Sequence, residues 1–206
     1  MTEMYLGLDL CRKNLQISYF REDKGEPESI YQLNNTETYQ LPNVMFFCTD
    51  ENKWYVGNNV SAVRFQKNGK IVEDVVGNVG SKNQVVINGE TYSYDMLLLI
   101  LLKNQIKDFL SRTEDAVLKK LTISIEYYDK AVFEVLKKLK ADFELSDNDF
   151  HIMSHENAFF QYVMRQDERL RINSIAMFEY DAAGMDFYRL DRKNQGKTVI
   201  YNLKKE

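Results

Sequence analysis

Asp9 lies near the end of the apolar run Tyr5-Leu6-Gly7-Leu8-Asp9-Leu10, and the polar corner Cys11-Arg12-Lys13-Asn14 follows before alternating apolar residues resume through Phe20. A carboxylate on a strand offers the oxygen ligands that a hard cation such as magnesium prefers. Cations at the adjoining turn can meet an anion through charge-assisted hydrogen bonds. A plainer reading stands beside this one: a solvated or capped strand acid, then an ordinary charged hairpin tip. Burying an unpaired carboxylate is costly, so Asp9 needs either solvent or a partner. A second stretch, Ile175 to Leu190, repeats the layout of strand, acid, small turn and strand. There the acid is Glu179, the turn is Asp181-Ala182-Ala183-Gly184, and Asp186 follows. Asp181 and Asp186 read more readily as turn and strand-edge residues than as catalytic ones.

Other side chains that could do chemistry are less well placed. His151 and His155 are four apart with Glu156 beside them, a spacing that shares a face only on a helix. The surrounding pattern places His151 on a strand and His155 at a helix start. Cys11 has no histidine near it in sequence and no nucleophile motif. Asp9, Glu126 and Glu179 could form the carboxylate trio of a two-metal nuclease. The absence of an obvious basic strip speaks against nucleic acid as a partner.

Composition narrows the classes further. A chain of 206 residues can bury a sizeable core, and 44% hydrophobic with 28% charged residues is a globular balance. The net charge of −4 gives no overall attraction to nucleic acid or to an anionic membrane. Two cysteines, Cys11 and Cys48, build no disulfide framework and fit a reducing compartment. The N-terminus lacks the basic start and long apolar stretch of a signal peptide, and Met96 to Leu102 is too short to span a bilayer. These features point to a cytoplasmic protein that engages neither membrane nor nucleic acid.

The elements that must position the candidate residues follow from periodicity. Tyr5–Leu10 and Asn14–Phe20 read as a hairpin, and Glu22–Ser29 as a turn. Ser29–Leu33 and Val44–Asp50 read as strands; the latter turns through Asp50–Lys53 into a strand ending at Gly57. Asn58 to Phe65 predicts a short helix capped by Asn58 or Asn59. Gly69, Gly77 and Gly80 mark an irregular region. Asn88-Gly89 is a strong hairpin signal. Ser93 then caps a helix from about Tyr94 to Ser111, with Met96 at its third position. A strand carrying Ile123 and Ile125, the amphipathic helix Asp129–Phe143, the strand Phe150–Ser154, a helix from His155 and three strand-like pieces complete an α/β order.

Taken in order, these segments resemble the first half of the ATPase domain of the 70-kDa heat-shock chaperones, in the actin-like superfamily. Gly7-Leu8-Asp9-Leu10-Cys11-Arg12-Lys13 resembles the family's Gly-Ile-Asp-Leu-Gly-Thr-Thr. Leu41-Pro42-Asn43-Val44 with Trp54-Tyr55-Val56-Gly57 resembles its next strand pair. Phe178-Glu179-Tyr180-Asp181-Ala182-Ala183-Gly184-Met185-Asp186 resembles the second phosphate motif, Phe-Asp-Leu-Gly-Gly-Gly-Thr-Phe-Asp. The resemblance implies a ribonuclease-H-like mixed sheet flanked by helices, with a core at about residues 1–41 and 94–206. It also implies a small inserted subdomain at about 42–93 and a longer parent protein supplying a second lobe.

The resemblance further implies that two turns cradle the phosphates of Mg-ATP, with Asp9 and Glu179 holding the metal. Arg12, Lys13, Asn14, Asp181 and Gly184 would border the nucleotide. Departures from the pattern are concentrated in those turns. Cys11 stands for a glycine, Arg12-Lys13 for paired threonines, Asp181-Ala182-Ala183 for three glycines, and Gly184 for a threonine. The family's lysine falls near Glu73, which reverses its charge. The expectation is a lobe that has lost catalysis and works as a binding or scaffolding module for a protein partner. The alternative is a lobe that still binds Mg-ATP when completed by a second one.

Overall fold

The computed structural model describes residues 2–21, 25–29, 39–126, 129–166, 174–180, 185–195 and 198–205. Its strands are β1 (Thr2–Leu10), β2 (Asn14–Arg21), β3 (Glu26–Ser29), β4 (Gln40–Pro42), β5 (Met45–Cys48), β6 (Lys53–Val56), β7 (Gly69–Val72), β8 (Gln84–Ile87), β9 (Glu90–Ser93), β10 (Ala116–Ile125), β11 (Phe150–Ser154), β12 (Ile175–Tyr180), β13 (Met185–Gln195) and β14 (Thr198–Lys205). Its helices are α1 (Asn58–Val63), α2 (Tyr94–Leu110), α3 (Lys130–Asp142) and α4 (His155–Arg165). The chain divides into two compact units, 1–152 and 153–206.

In the first unit the main sheet runs in the order β11-β10-β1-β2-β3, with β4 also paired to β2. β1 lies between β10, its parallel neighbour, and β2, its antiparallel one. The protein is therefore α/β, with a mixed sheet flanked by helices. Alternation along the strands sorts the faces. Leu6, Leu8 and Leu10 of β1, Leu15 and Ile17 of β2 and Leu121, Ile123 and Ile125 of β10 all point into one core. Gly7, Asp9, Gln16, Ser18, Thr122 and Ser124 occupy the alternate positions, and none of them is fully buried. The candidate acid thus sits on the polar face of an otherwise apolar central strand.

α2 and α3 share the apolar core. Leu97, Leu98, Leu101, Leu102 and Ile106 of α2 are fully buried, as a helical stripe of that spacing requires. Ser93 accepts a hydrogen bond from the Met96 amide, as its position predicts. Asp129 caps α3 by accepting from the amides of Ala131 and Val132. Two small sheets stand between β4 and α2: β6-β5-β7 and the β8-β9 hairpin turned by Asn88-Gly89.

Three local expectations need correction. Glu26–Ser29, expected as a turn, is an edge strand on β2; Pro27 is tolerated there because an edge has no second ladder to feed. Gly69 begins strand β7 rather than an irregular region. It pairs opposite Cys48 so closely that a Cβ would lie 2.1 Å from the Phe47 carbonyl oxygen. The cap of α1 is Gly57, not Asn58 or Asn59, and among the described residues no side chain caps that helix. Gly57 has φ 59°, which an L side chain rarely adopts. Of the expected strand Ser29–Leu33, residues 30–33 lie outside the described residues.

The second unit is a three-stranded antiparallel sheet, β12-β13-β14, with α4 packed on one face. Phe159 and Val163 of α4 bury against Tyr188 and Leu190 of β13. Ser154 caps α4 by accepting from the Asn157 amide. Among the described residues no helix is long and apolar enough to cross a membrane.

Candidate functional site

The corner between β1 and β2 gathers the first group of predicted residues. Asp9 stands opposite Ser124 in the parallel register, and the Ser124 hydroxyl donates to Asp9 Oδ1 at 2.6 Å. The Cys11 thiol lies 4.0 Å from Asp9 Oδ2, a weak contact. The strand acid is thus partnered by a hydroxyl from a residue 115 positions away, which sequence reasoning had not paired with it.

The turn beyond Asp9 is stitched from behind by one side chain. Asn43 is 4% exposed, and its Nδ2 donates to the carbonyl oxygens of Cys11 at 2.7 Å and Arg12 at 3.4 Å. Its backbone amide donates to Lys13 O at 2.7 Å. The Cys11 amide closes the turn on Asn14 O at 3.0 Å. Four successive carbonyls and the Cys11 amide are therefore satisfied within the protein, which immobilises the corner. Asn43 has this role because Leu41-Pro42 pairs with Leu15-Asn14 at the edge of β2 and delivers it there.

Arg12 is not turned loose into solvent. Its Nε and Nη2 donate to the two carboxylate oxygens of Asp74 at 2.8 and 2.7 Å. This is a bidentate pair, the strongest geometry an arginine and a carboxylate can make. Asp74 has φ 49°, and the Asn78 side-chain amide donates to its carbonyl oxygen at 2.9 Å. Gly77 lies against the pair: a Cβ there would fall 2.4 Å from Asp74 Oδ1 and 2.6 Å from Arg12 Nε. A glycine is needed at 77 for that close approach. Lys13 is exposed, and Asn14 opens β2 with its amide 3.5 Å from Gln40 Oε1.

Hydrogen bonding from Arg12 holds the Asp74 carboxyl below the usual carboxylate range, helped by the charges of Arg12 and Lys13 and opposed by slight burial. A depressed acid contributes stability above its unfolded pKa and loses it as pH falls through the folded value. The difference in urea midpoint between wild type and Asp74→Asn is therefore expected to be constant above pH about 5 and to shrink below about 4. It will be small throughout, because both side chains are substantially exposed. A gap unchanged down to pH about 2 would show that the carboxylate charge is not what the pair contributes.

The remaining predicted residues are placed as follows. Glu179 lies on β12, in register with Asp186 of β13, and belongs to the second unit; its side chain is outside the description. Asp181 and Gly184 lie outside the described residues. Glu126 follows β10 and is half-buried. His151 is exposed on β11 and His155 opens α4, so the two do not share a helical face. Cys11 is half-buried and Cys48 buried, and neither forms a disulfide. Asp74, Asn43 and Ser124 were missed as site residues. Only Asp74 had a signal, since the resemblance aligned its neighbour Glu73 with a functional lysine.

The family described as "Family of unknown function (DUF5716) C-terminal" matches residues 26–206. The chain belongs to the DUF5716 family. The DUF5716 match begins beyond Asp9, Arg12, Lys13 and Asn14, and contains Asn43, Asp74 and Ser124. The corner is thus assembled from residues on both sides of that boundary. Comparison with curated proteins gave no match.

Proposed function

We propose that this chain is a degenerate actin-like lobe, related to the heat-shock chaperone ATPases, that serves as a non-catalytic binding or scaffolding module. The observation that carries this reading is the Arg12–Asp74 pair on a turn stitched down by Asn43. In the family that the sequence resembles, the turn is small and an inserted segment brings a lysine toward the phosphates. Here the aligned segment does reach the turn, but it brings an acid that neutralises a cation on the turn itself. The mixed sheet, with β1 parallel to β10 and antiparallel to β2, is compatible with a ribonuclease-H-like core and supports the same reading.

The residues fit the two halves of a Mg-nucleotide unequally. Hydrated magnesium needs few protein ligands, and Asp9 can supply a carboxylate oxygen. The anion half fits poorly: Cys11 places a side chain where a glycine would let phosphate approach, and Arg12 is engaged by Asp74. Calorimetric titration of Mg-ATP into the wild-type protein and its Asp9→Ala variant tests the proposal. No saturable heat is expected from either at millimolar nucleotide. Saturable binding by the wild type that Asp9→Ala abolishes would favour the alternative, a Mg-ATP-binding lobe, and sink this one.

A further inference from the structure

We propose that Asn88 is a site of hydrolytic modification, deamidation through a cyclic imide, and that the fold blocks the same reaction at Asn68, the other asparagine followed by glycine. The inference is independent of the nucleotide reading. In this chemistry the glycine amide nitrogen gives up its proton to a base and attacks the asparagine Cγ. A carbon–nitrogen bond forms, ammonia leaves, and a cyclic imide results. Water then opens the imide at either carbonyl. One opening gives aspartate; the other gives isoaspartate, with the main chain rerouted through the side chain. Glycine favours the step because it has no Cβ to obstruct ring closure.

Ring closure requires the asparagine–glycine peptide to rotate until nitrogen and Cγ come into contact, and the fold treats the two pairs differently. Asn88-Gly89 is the exposed two-residue turn between Ile87 and Glu90, with φ 51° and 83°. Among the described residues, the Asn88 side chain, the Asn88 carbonyl and the Gly89 amide make no hydrogen bond. Rotation there breaks nothing, and a Cβ on Gly89 would meet no atom within 4 Å, so the ring has room. At Asn68 the carbonyl accepts from the Thr49 amide at 3.0 Å and the Thr49 hydroxyl at 3.1 Å. The Asn68 side-chain amide is turned to the Asp50 carboxylate at 3.4 and 3.5 Å, and its backbone amide donates there at 3.3 Å. Gly69 is in turn fixed against Phe47 O. Closing the ring at Asn68 would break this network.

The reaction changes the hairpin that carries it. A two-residue turn sets the register of its strands, and isoaspartate adds a methylene to the main chain of that turn. β8 contributes Val85 and Ile87 to the core, and Tyr92 of β9 meets the ring of Trp54 edge-on at 5.5 Å. Ser93, the next residue, caps α2. Conversion at Asn88 therefore loosens a hairpin joined to the core and alters the surroundings of Trp54, the one tryptophan in the chain.

The test incubates the full chain in mildly alkaline buffer and follows both asparagines by peptide mass spectrometry, with a urea-unfolded sample in parallel. In the folded chain Asn88 is expected to convert about tenfold or more faster than Asn68, the ratio that loss of two hydrogen bonds imposes. The rate should rise with pH, because the attacking nitrogen must lose its proton. In urea the two rates should converge. Equal rates in the folded chain, or Asn68 converting first, overturn the assignment. A difference that persists in urea overturns it too, because flanking residues rather than the fold would then decide. Converted protein is finally compared with fresh protein by Trp54 fluorescence. A shift is expected that Asn88→Gln, incubated in the same way, does not show. No shift, or the same shift in Asn88→Gln, overturns the effect on the hairpin.

Discussion

Replacing Asn43 with aspartate is expected to destabilise the first unit by about 3 kcal/mol or more, although the two side chains are nearly the same size. The amide donates to two carbonyl oxygens, Cys11 O at 2.7 Å and Arg12 O at 3.4 Å. A carboxylate oxygen in that place would face both acceptors and carry a charge at a position only 4% exposed. Asn43→Ala should cost less, about 1–2 kcal/mol. It removes the same donor but adds no charge, and it also deletes Asn43 Oδ1, which is buried with no hydrogen-bond partner among the described residues. Urea denaturation of the two variants checks the order. Asn43→Asp no worse than Asn43→Ala would mean that no charge is forced against the two carbonyls, and a cost of Asn43→Ala below about 0.5 kcal/mol would mean that the donor does not hold the turn.

Ile123→Ala is expected to cost about 2–5 kcal/mol, a large share of the roughly 5–15 kcal/mol by which a domain is stable. Ile123 is 0% exposed near the C-terminal end of β10, directly beside Leu8 of β1. Its removal leaves a cavity in the core that α2 and α3 share with the sheet. The next residue, Ser124, donates to Asp9. Repacking of β10 against β1 should therefore also disturb the environment of Asp9. Denaturation gives the energetic cost, and carboxyl carbon shifts of Asp9 report the second effect. A loss below about 1 kcal/mol would show that neighbouring side chains close the space.

Both variants act on contacts that unite distant parts of the chain, and here sequence and structure divide. Local rules were sufficient where the determining contacts are local. Ser93 three residues before Met96, Asn88-Gly89 between alternating strands, and the stripe Leu97, Leu98, Leu101, Leu102, Ile106 each specify their element over one or two turns. Alternation along β1 puts Asp9 on the opposite face from Leu8 and Leu10. Local rules failed at Gly69 and at Glu26–Ser29, where composition favours turns but pairing with β5 and β2 makes strands. Tertiary pairing overrides a propensity spanning only about 1 kcal/mol.

The sequence by itself determined that this is an α/β chain whose first hairpin carries a strand acid and a cationic turn. It could not assign the state of that turn. Arg12 meets Asp74 across 62 positions, Asn43 meets Cys11 across 32, and Ser124 meets Asp9 across 115. No periodicity encodes such pairs, because they are set by which strands neighbour β1 and β2 once the core has closed. An arginine at a hairpin tip has the same pattern in sequence whether it is free or clamped. Only the folded chain decides that this one is clamped, because folding brings a carboxylate within reach of both nitrogens on one guanidinium edge.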